Sequence, residues 1–210
     1  MTSTNGTIGT ISYGIATRTR QGETVTGDRY VIRQHPSGVL LAVIDGLGHG
    51  ADAASAADSA AQVLSTHPST DVVDLLKACH DRLRSSRGVV MTVVSITPAA
   101  HIITAIGVGN VQGMIVRHGD GEAAPERDFV VLRGGVVGHL MPALRQSVMQ
   151  VSAGDLVVLA TDGVGIEFMT EERFSQPPQV IADRMLSRYA VPTDDALVLV
   201  ARYIGDRDGT

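Results

Sequence analysis

Two hydropathy patterns take turns along this chain. One is the short apolar run bounded by turn residues; the other is an apolar stripe at helical spacing. Val39–Ile44 is the strongest run, and a run of that length and composition predicts a buried strand. Before it, Ile8–Arg18 alternates loosely, with Ile11, Tyr13 and Ile15 on one face, and predicts a first strand. Thr19–Gly27 is a polar loop that ends in Gly27-Asp28. Tyr30–Gln34 and Val39–Ile44 then form a hairpin around Pro36-Ser37-Gly38. Ala51–Ser65 carries alanine on nearly every face and predicts a helix able to approach a sheet closely. His67-Pro68-Ser69-Thr70 breaks it, with Ser69 or Thr70 as the cap of the next helix. In that helix, Asp71–Ser86, the residues Val72, Leu75, Leu76, Cys79 and Leu83 make one apolar stripe.

The second half is rich in strands. Val89–Thr97, His101–Val108 and Val111–His118 are joined by Pro98-Ala99-Ala100 and by Gly109-Asn110, which suggests an antiparallel meander. A polar loop, Gly119–Arg127, leads to strands at Phe129–Leu132, Gln146–Val151 and Leu156–Ala160, with Gly134–Arg145 as an irregular connection. Gly165–Pro178 is a loop with some helical character, Gln179–Tyr189 an amphipathic helix, Ala196–Tyr203 a final strand, and Gly205–Thr210 a frayed tail. The 210 residues form one expected domain with its core at about 8–204 and short flexible termini.

Composition narrows the class. With three Phe, four Tyr and no Trp, the core must be filled by Val, Ile, Leu and Ala. A net charge of −5 argues against a nucleic-acid or anionic-membrane surface, since both require Lys/Arg clusters. The single cysteine, Cys79, cannot close an internal disulfide, which fits a reducing cytoplasm. No signal-peptide pattern and no membrane-length apolar run occur. The expected localisation is cytoplasmic.

The candidate chemistry lies in the carboxylates. The run Val39–Ile44 delivers Asp45 into Gly46-Leu47-Gly48-His49-Gly50, and Leu156–Ala160 delivers Asp162 into Gly163. Asp28 and the pair Asp194/Asp195 stand at the beginnings of other strands. Antiparallel strands can gather such ends at one sheet edge, where several carboxylates repel one another unless cations neutralise them. Clustered oxygen ligands select Mg²⁺ or Mn²⁺, and a pair of such ions can activate a water against a phosphoryl group. The other reading is that these Asp residues are turn formers; spacing leaves both open. The seven histidines show no zinc spacing. His49 alone sits in the Gly-rich turn, where it could orient a water, contact a phosphate or cap the helix. Cys79 belongs to its helix's apolar stripe rather than to a nucleophile's setting. Gly46-x-Gly48-x-x-Ala51 formally matches a dinucleotide fingerprint, but Asp45 would face the pyrophosphate and no acid-ending strand follows about twenty residues on.

Taken in order, Asp45-Gly-Leu-Gly-His-Gly-Ala-Asp-Ala-Ala, Gly88-Val-Val-Met-Thr-Val-Val, Gly107-Val-Gly-Asn-Val, Gly154-Asp-Leu-Val-Val-Leu-Ala-Thr-Asp-Gly and Asp194-Asp-Ala resemble the SpoIIE-type serine phosphatases. These belong to the metal-dependent protein phosphatase 2C superfamily. The short chain resembles in particular its stand-alone RsbX-type members of the stressosome. The resemblance implies an α+β fold, a four-layer α-β-β-α sandwich of two antiparallel sheets flanked by helices. It implies two Mn²⁺ or Mg²⁺ ions: Asp45 bridging both, the Gly46 carbonyl on one, Asp162 and Asp194 on the second, and Asp28 on metal-bound water or a further ion. His49 and Asp195 become candidate phosphate or water contacts. The implied nucleophile is a metal-bridging hydroxide. The implied substrate is a phosphorylated STAS-domain or anti-anti-sigma protein, met by a monomer. Two departures stand out: Leu197 occupies a position where many relatives carry Thr, and the phosphate-binding arginine of eukaryotic relatives has no evident match beyond the candidates Arg18 and Arg20. The alternative class is a non-catalytic phosphoprotein-binding module that keeps the fold without turnover.

Overall fold

The computed structural model describes residues 1–119 and 125–205. The first half holds strands β1 (Thr2–Ile8), β2 (Ile11–Arg18), β3 (Asp28–His35) and β4 (Gly38–Gly46), helices α1 (Ala51–Thr66) and α2 (Val72–Leu83), and strand β5 (Val89–Thr97). Strands β6 (Ile102–Val108), β7 (Gln112–Val116), β8 (Arg127–Phe129), β9 (Leu132–Arg133), β10 (Ser147–Gln150) and β11 (Leu156–Ala160) follow. Helix α3 (Pro178–Tyr189) and strand β12 (Ala196–Tyr203) complete the order. One sheet runs β1-β2-β12-β11-β7-β8 and the other β10-β6-β5-β4-β3. Every pairing is antiparallel except that of β9, which lies parallel beside β6.

The apolar runs explain the layering. On β4, Val39, Leu41 and Val43 enter the core between the sheets, while Leu40, Ala42 and Ile44 enter the core beneath α1 and α2. On β12, Leu197, Leu199 and Ala201 face the other sheet, while Ala196, Val198 and Val200 pack under α3. A strand buried on both faces has no polar side to show, so period-two alternation is hidden inside a continuous apolar run. The result is four layers, α-β-β-α, in the α+β class. The alanines of α1 serve closeness: a Cβ on Gly46 would lie 2.1 Å from the Ala53 carbonyl, so the helix rests directly on the end of β4.

Several elements differ from the sequence reading. The first strand is a hairpin of β1 and β2, and residues 2–8 pair along their length with β2 rather than forming a flexible terminus. Their polar side chains fit an exposed edge strand, which a hydropathy pattern cannot separate from a tail. The meander breaks after β6. Gly109-Asn110 carries the chain across to the opposite sheet, where β7 pairs with β11 and β8. Phe129–Leu132 is likewise no single strand: β8 ends at Phe129 in one sheet and β9 begins at Leu132 in the other. Helix α2 is capped by Asp71, whose carboxylate accepts from the Val73 and Asp74 amides, not by Ser69 or Thr70. Most of the expected tail, 206–210, lies outside the described residues, as does 120–124 of the polar loop.

Candidate functional site

The same period-two phase aims the carboxylates. After Val39, Leu41 and Val43, the next residue facing the opposite sheet is Asp45. Asp28 is its direct antiparallel partner on β3 and shares that face. From the other sheet, Val157 and Leu159 lead to Thr161 in the same phase, and Leu199 and Leu197 lead back to Asp195. Acidic and hydroxyl groups therefore close one end of the inter-sheet core. Asp162 and Asp194 sit in the turns just beyond. With Arg20, Asp45, His49 and Asn110 they line a cleft of about 580 Å³. Gly163 must be glycine: a Cβ there would stand 1.8 Å from the Asp195 carbonyl, so the turn after β11 seats directly on the chain entering β12.

Electrostatics ties the acids together. Burial, then the neighbouring Asp162, Asp194 and Asp195 charges, push Asp45 up to about 7. Asp28 is 4% exposed; burial and then Asp45 hold its carboxyl well above the usual range, and only the Thr161 hydrogen bond opposes this. Asp194 is raised by burial and by Asp162 and Asp195, against the pull of the Asp195 amide and Arg20. Three carboxylates, Asp45, Asp162 and Asp194, thus line one cleft with the buried Asp28 and Asp195 close behind them, and the lining includes a single guanidinium, that of Arg20. Among the described residues, no three His, Cys, Asp or Glu side chains close into a finished metal cage. The carboxylates supply oxygen donors, which suit a hard divalent cation such as Mg²⁺ or Mn²⁺.

Each expected site residue has a definite place. Asp28, Asp45, Asp162 and Asp194 come together, with Gly46 beside Asp45. Asp195 differs from Asp194. It is 5% exposed, and its two oxygens accept from the Arg20 amide at 2.8 Å and the Gly27 amide at 2.7 Å. It anchors both ends of the loop between β2 and β3, while Asp194 lines the cleft. His49 does not cap α1, whose cap is Gly50; its Nδ1 lies 2.7 Å from Glu23 Oε1, joining that loop to the Gly-rich turn. Of the two arginine candidates, the Arg18 guanidinium donates to the Val191 carbonyl, and Arg20 lines the cleft.

Two polar contacts come from residues that lie within the quoted motifs but to which the sequence assigned no role. Asn110, expected as a simple turn residue, donates its side-chain amide to Asp162 Oδ2 at 2.7 Å. Thr161, fully buried, donates its hydroxyl to Asp28 Oδ2 at 2.8 Å and accepts from the Leu197 amide at 2.9 Å. Leu197 itself packs in the inter-sheet core. The only signal for the Thr161 contacts was the Thr preceding Asp162-Gly163.

Comparison with known proteins agrees with this architecture. The family model described as Stage II sporulation protein E (SpoIIE) matches residues 35–204. The phosphoserine phosphatase RsbX of Bacillus subtilis (strain 168) is 25% identical over 93 residues, 44% of this chain and 47% of that protein, so the match spans about half of the relative's length. A chain from a structure of the bacterial stressosome, described as a modular system adapted to control secondary messenger signaling, aligns with a TM-score of 0.80 and 27% identity over 91% of this chain and 99% of that one. RsbX in complex with magnesium superposes with a TM-score of 0.83 over 96% of this chain and 99% of that chain, at 17% identity.

Proposed function

Because the chain belongs to the SpoIIE family, we propose that it is a metal-dependent phosphoserine/phosphothreonine protein phosphatase. One observation carries the reading: strand ends from both sheets deliver carboxylates to one cleft, where burial and then mutual repulsion lift Asp45 to about 7. Such a cluster is unfavourable for folding alone and favourable for binding cations. Asp45, Asp162, Asp194, Asp28 and the Gly46 carbonyl would hold two Mg²⁺ or Mn²⁺ ions. When bound, the ions supply charge neutralisation of the phosphoryl group and an activated water. The chain's own residues supply the rest. Asn110 holds one oxygen of the cleft-lining Asp162, and Thr161 one oxygen of the buried Asp28. Arg20 brings a positive charge to the cleft for the phosphate oxygens, its backbone fixed by Asp195. No Cys or Ser nucleophile is needed; Cys79 is buried, its thiol pushed up to about 12 by burial.

The RsbX and stressosome likenesses support a phosphorylated STAS-domain or anti-anti-sigma protein as substrate, with the phosphatase resetting a stress signal. The reading takes the protein as a cytoplasmic monomer, with the single cysteine suited to a reducing compartment. No helix among the described residues is long and apolar enough to cross a membrane. The non-catalytic alternative draws its support from Leu197; against it stand the retained Asp28, Asp45, Asp162 and Asp194, a set that a binding module does not need. The test is phosphate release from p-nitrophenyl phosphate and from a phosphorylated STAS domain, with Mn²⁺, with EDTA, and with Asp45→Ala under Mn²⁺. Release that requires Mn²⁺ and vanishes in the variant is the expected result. Failure to bind Mn²⁺ in a calorimetric titration sinks the phosphatase in favour of the binding module.

A further inference from the structure

We propose that Thr161 is a positioning residue: its hydroxyl fixes the carboxylate of Asp28 across the gap between the two sheets, so that Oδ1 is the oxygen turned to the metal cleft. This rests on the phosphatase reading above. Asp28 opens β3 in one sheet, and Thr161 follows β11 in the other. They are 133 residues apart in sequence, both buried, and joined by a 2.8 Å hydrogen bond. A threonine hydroxyl has one proton and two lone pairs. The Leu197 amide, at 2.9 Å, donates to one lone pair, and the Thr161 amide returns a bond to the Leu197 carbonyl at 3.1 Å. The hydroxyl therefore cannot swing freely. With its acceptor side turned to β12, its proton points to Asp28. Asp28 is held from the backbone as well, because it pairs in register with Asp45. Its neighbour Gly27 donates to Asp195. What the backbone leaves undetermined is the rotation of the carboxylate, and Thr161 sets it.

Groups that orient a ligating carboxylate typically change metal affinity by about 10–100-fold when removed. A purely structural hydroxyl would alter stability and leave affinity for metal alone. The experiment compares wild type, Thr161→Val and Thr161→Ser by calorimetric titration with Mn²⁺ and by the Mn²⁺ concentration that half-activates hydrolysis of p-nitrophenyl phosphate. Valine keeps the shape and loses the donor; it is expected to raise both Mn²⁺ values about tenfold or more. Serine keeps the donor and is expected to stay within about threefold of wild type. Should valine not fold, as judged by circular dichroism, Thr161→Ala replaces it, since the space it opens admits a water to the Leu197 amide. A folded valine or alanine variant that binds Mn²⁺ like wild type overturns the assignment of Thr161 while leaving the phosphatase intact. A wild type that neither binds Mn²⁺ nor releases phosphate removes the phosphatase reading, and this assignment with it.

Discussion

Asp45→Asn should make the metal-free protein more stable, although it removes the carboxylate proposed to bridge the metal ions. Asp45 titrates near 7 in the folded chain against an ordinary 3.8, chiefly through burial and then through Asp162, Asp194 and Asp195. A carboxyl raised on folding binds more protons in the native state than in the unfolded state between those two values. Stability therefore falls as pH rises from about 4 to about 7, and the cost is complete above 7. At about 1.4 kcal/mol per pH unit, the gap reaches a ceiling of about 4 kcal/mol at pH 8 and only about 0.6 kcal/mol at pH 4. Asparagine keeps the size and sheds the charge. In a chain of this length, about 2–4 kcal/mol corresponds to a rise of roughly 5–15 °C in melting temperature. The assay is thermal unfolding of wild type and variant in EDTA at pH 4 and pH 8, then at pH 8 with Mn²⁺. The expected result is a gap that opens at pH 8, nearly closes at pH 4, and shrinks or reverses when Mn²⁺ stabilises only the wild type. A variant no more stable than wild type at pH 8 in EDTA would refute the view that uncompensated repulsion is stored at Asp45.

Three further outcomes follow from the same geometry. Apparent Mn²⁺ affinity should fall about tenfold per pH unit below 7, because Asp45 must release a proton to bind; calorimetry between pH 6 and 7.5 reads the slope. Asp195→Ala should cost about 2–4 kcal/mol in denaturant unfolding by stranding the Arg20 and Gly27 amides, and hydrogen exchange at Gly27 should quicken. Gly163→Ala should cost at least about 2 kcal/mol in the same measurement, since its Cβ would meet the Asp195 carbonyl at 1.8 Å and backbone would have to move.

The central strands were legible in the sequence because burial on both faces leaves a continuous apolar run: β5, β11 and β12 have the expected boundaries. The edges were not. β1 reads as a tail because Thr2–Gly6 is polar, and a strand at the edge of a sheet is held by backbone bonds that hydropathy does not register. The turn at Gly109-Asn110 was visible, but which sheet β7 joins depends on its long-range pairing with β11, and no local signal encodes that. Among the site residues, Asp45 and Asp162 stood out because each ends an apolar run at a glycine. Asp194 and Asp195 could not be told apart by sequence, since adjacent residues on an extended chain differ only in the face they take. The phase of β12 decides it: Asp195 falls in step with Leu197 and Leu199 and turns inward to the loop amides.

That phase relation links the fold to the chemistry. A sandwich core needs every second residue of β4 and β12 to be apolar, and the pattern must stop where the sheets end. Polar groups placed there inherit the facing orientation of the core residues before them, so Asp45, Asp28, Thr161 and Asp195 converge without any loop to steer them. The sheets also hold them rigidly, because moving Asp45 would disturb Val43 and its pairing with Thr92 on β5. The rigidity carries an electrostatic cost, visible in the elevated Asp28, Asp45 and Asp194. A cleft that relaxed to separate its acids would lose that cost and, with it, the drive to bind cations. On the proposed metal-binding role, stability without metal and affinity for metal would therefore be opposed, and the packing of β4 against β3 and β5 would keep the first from being improved at the expense of the second.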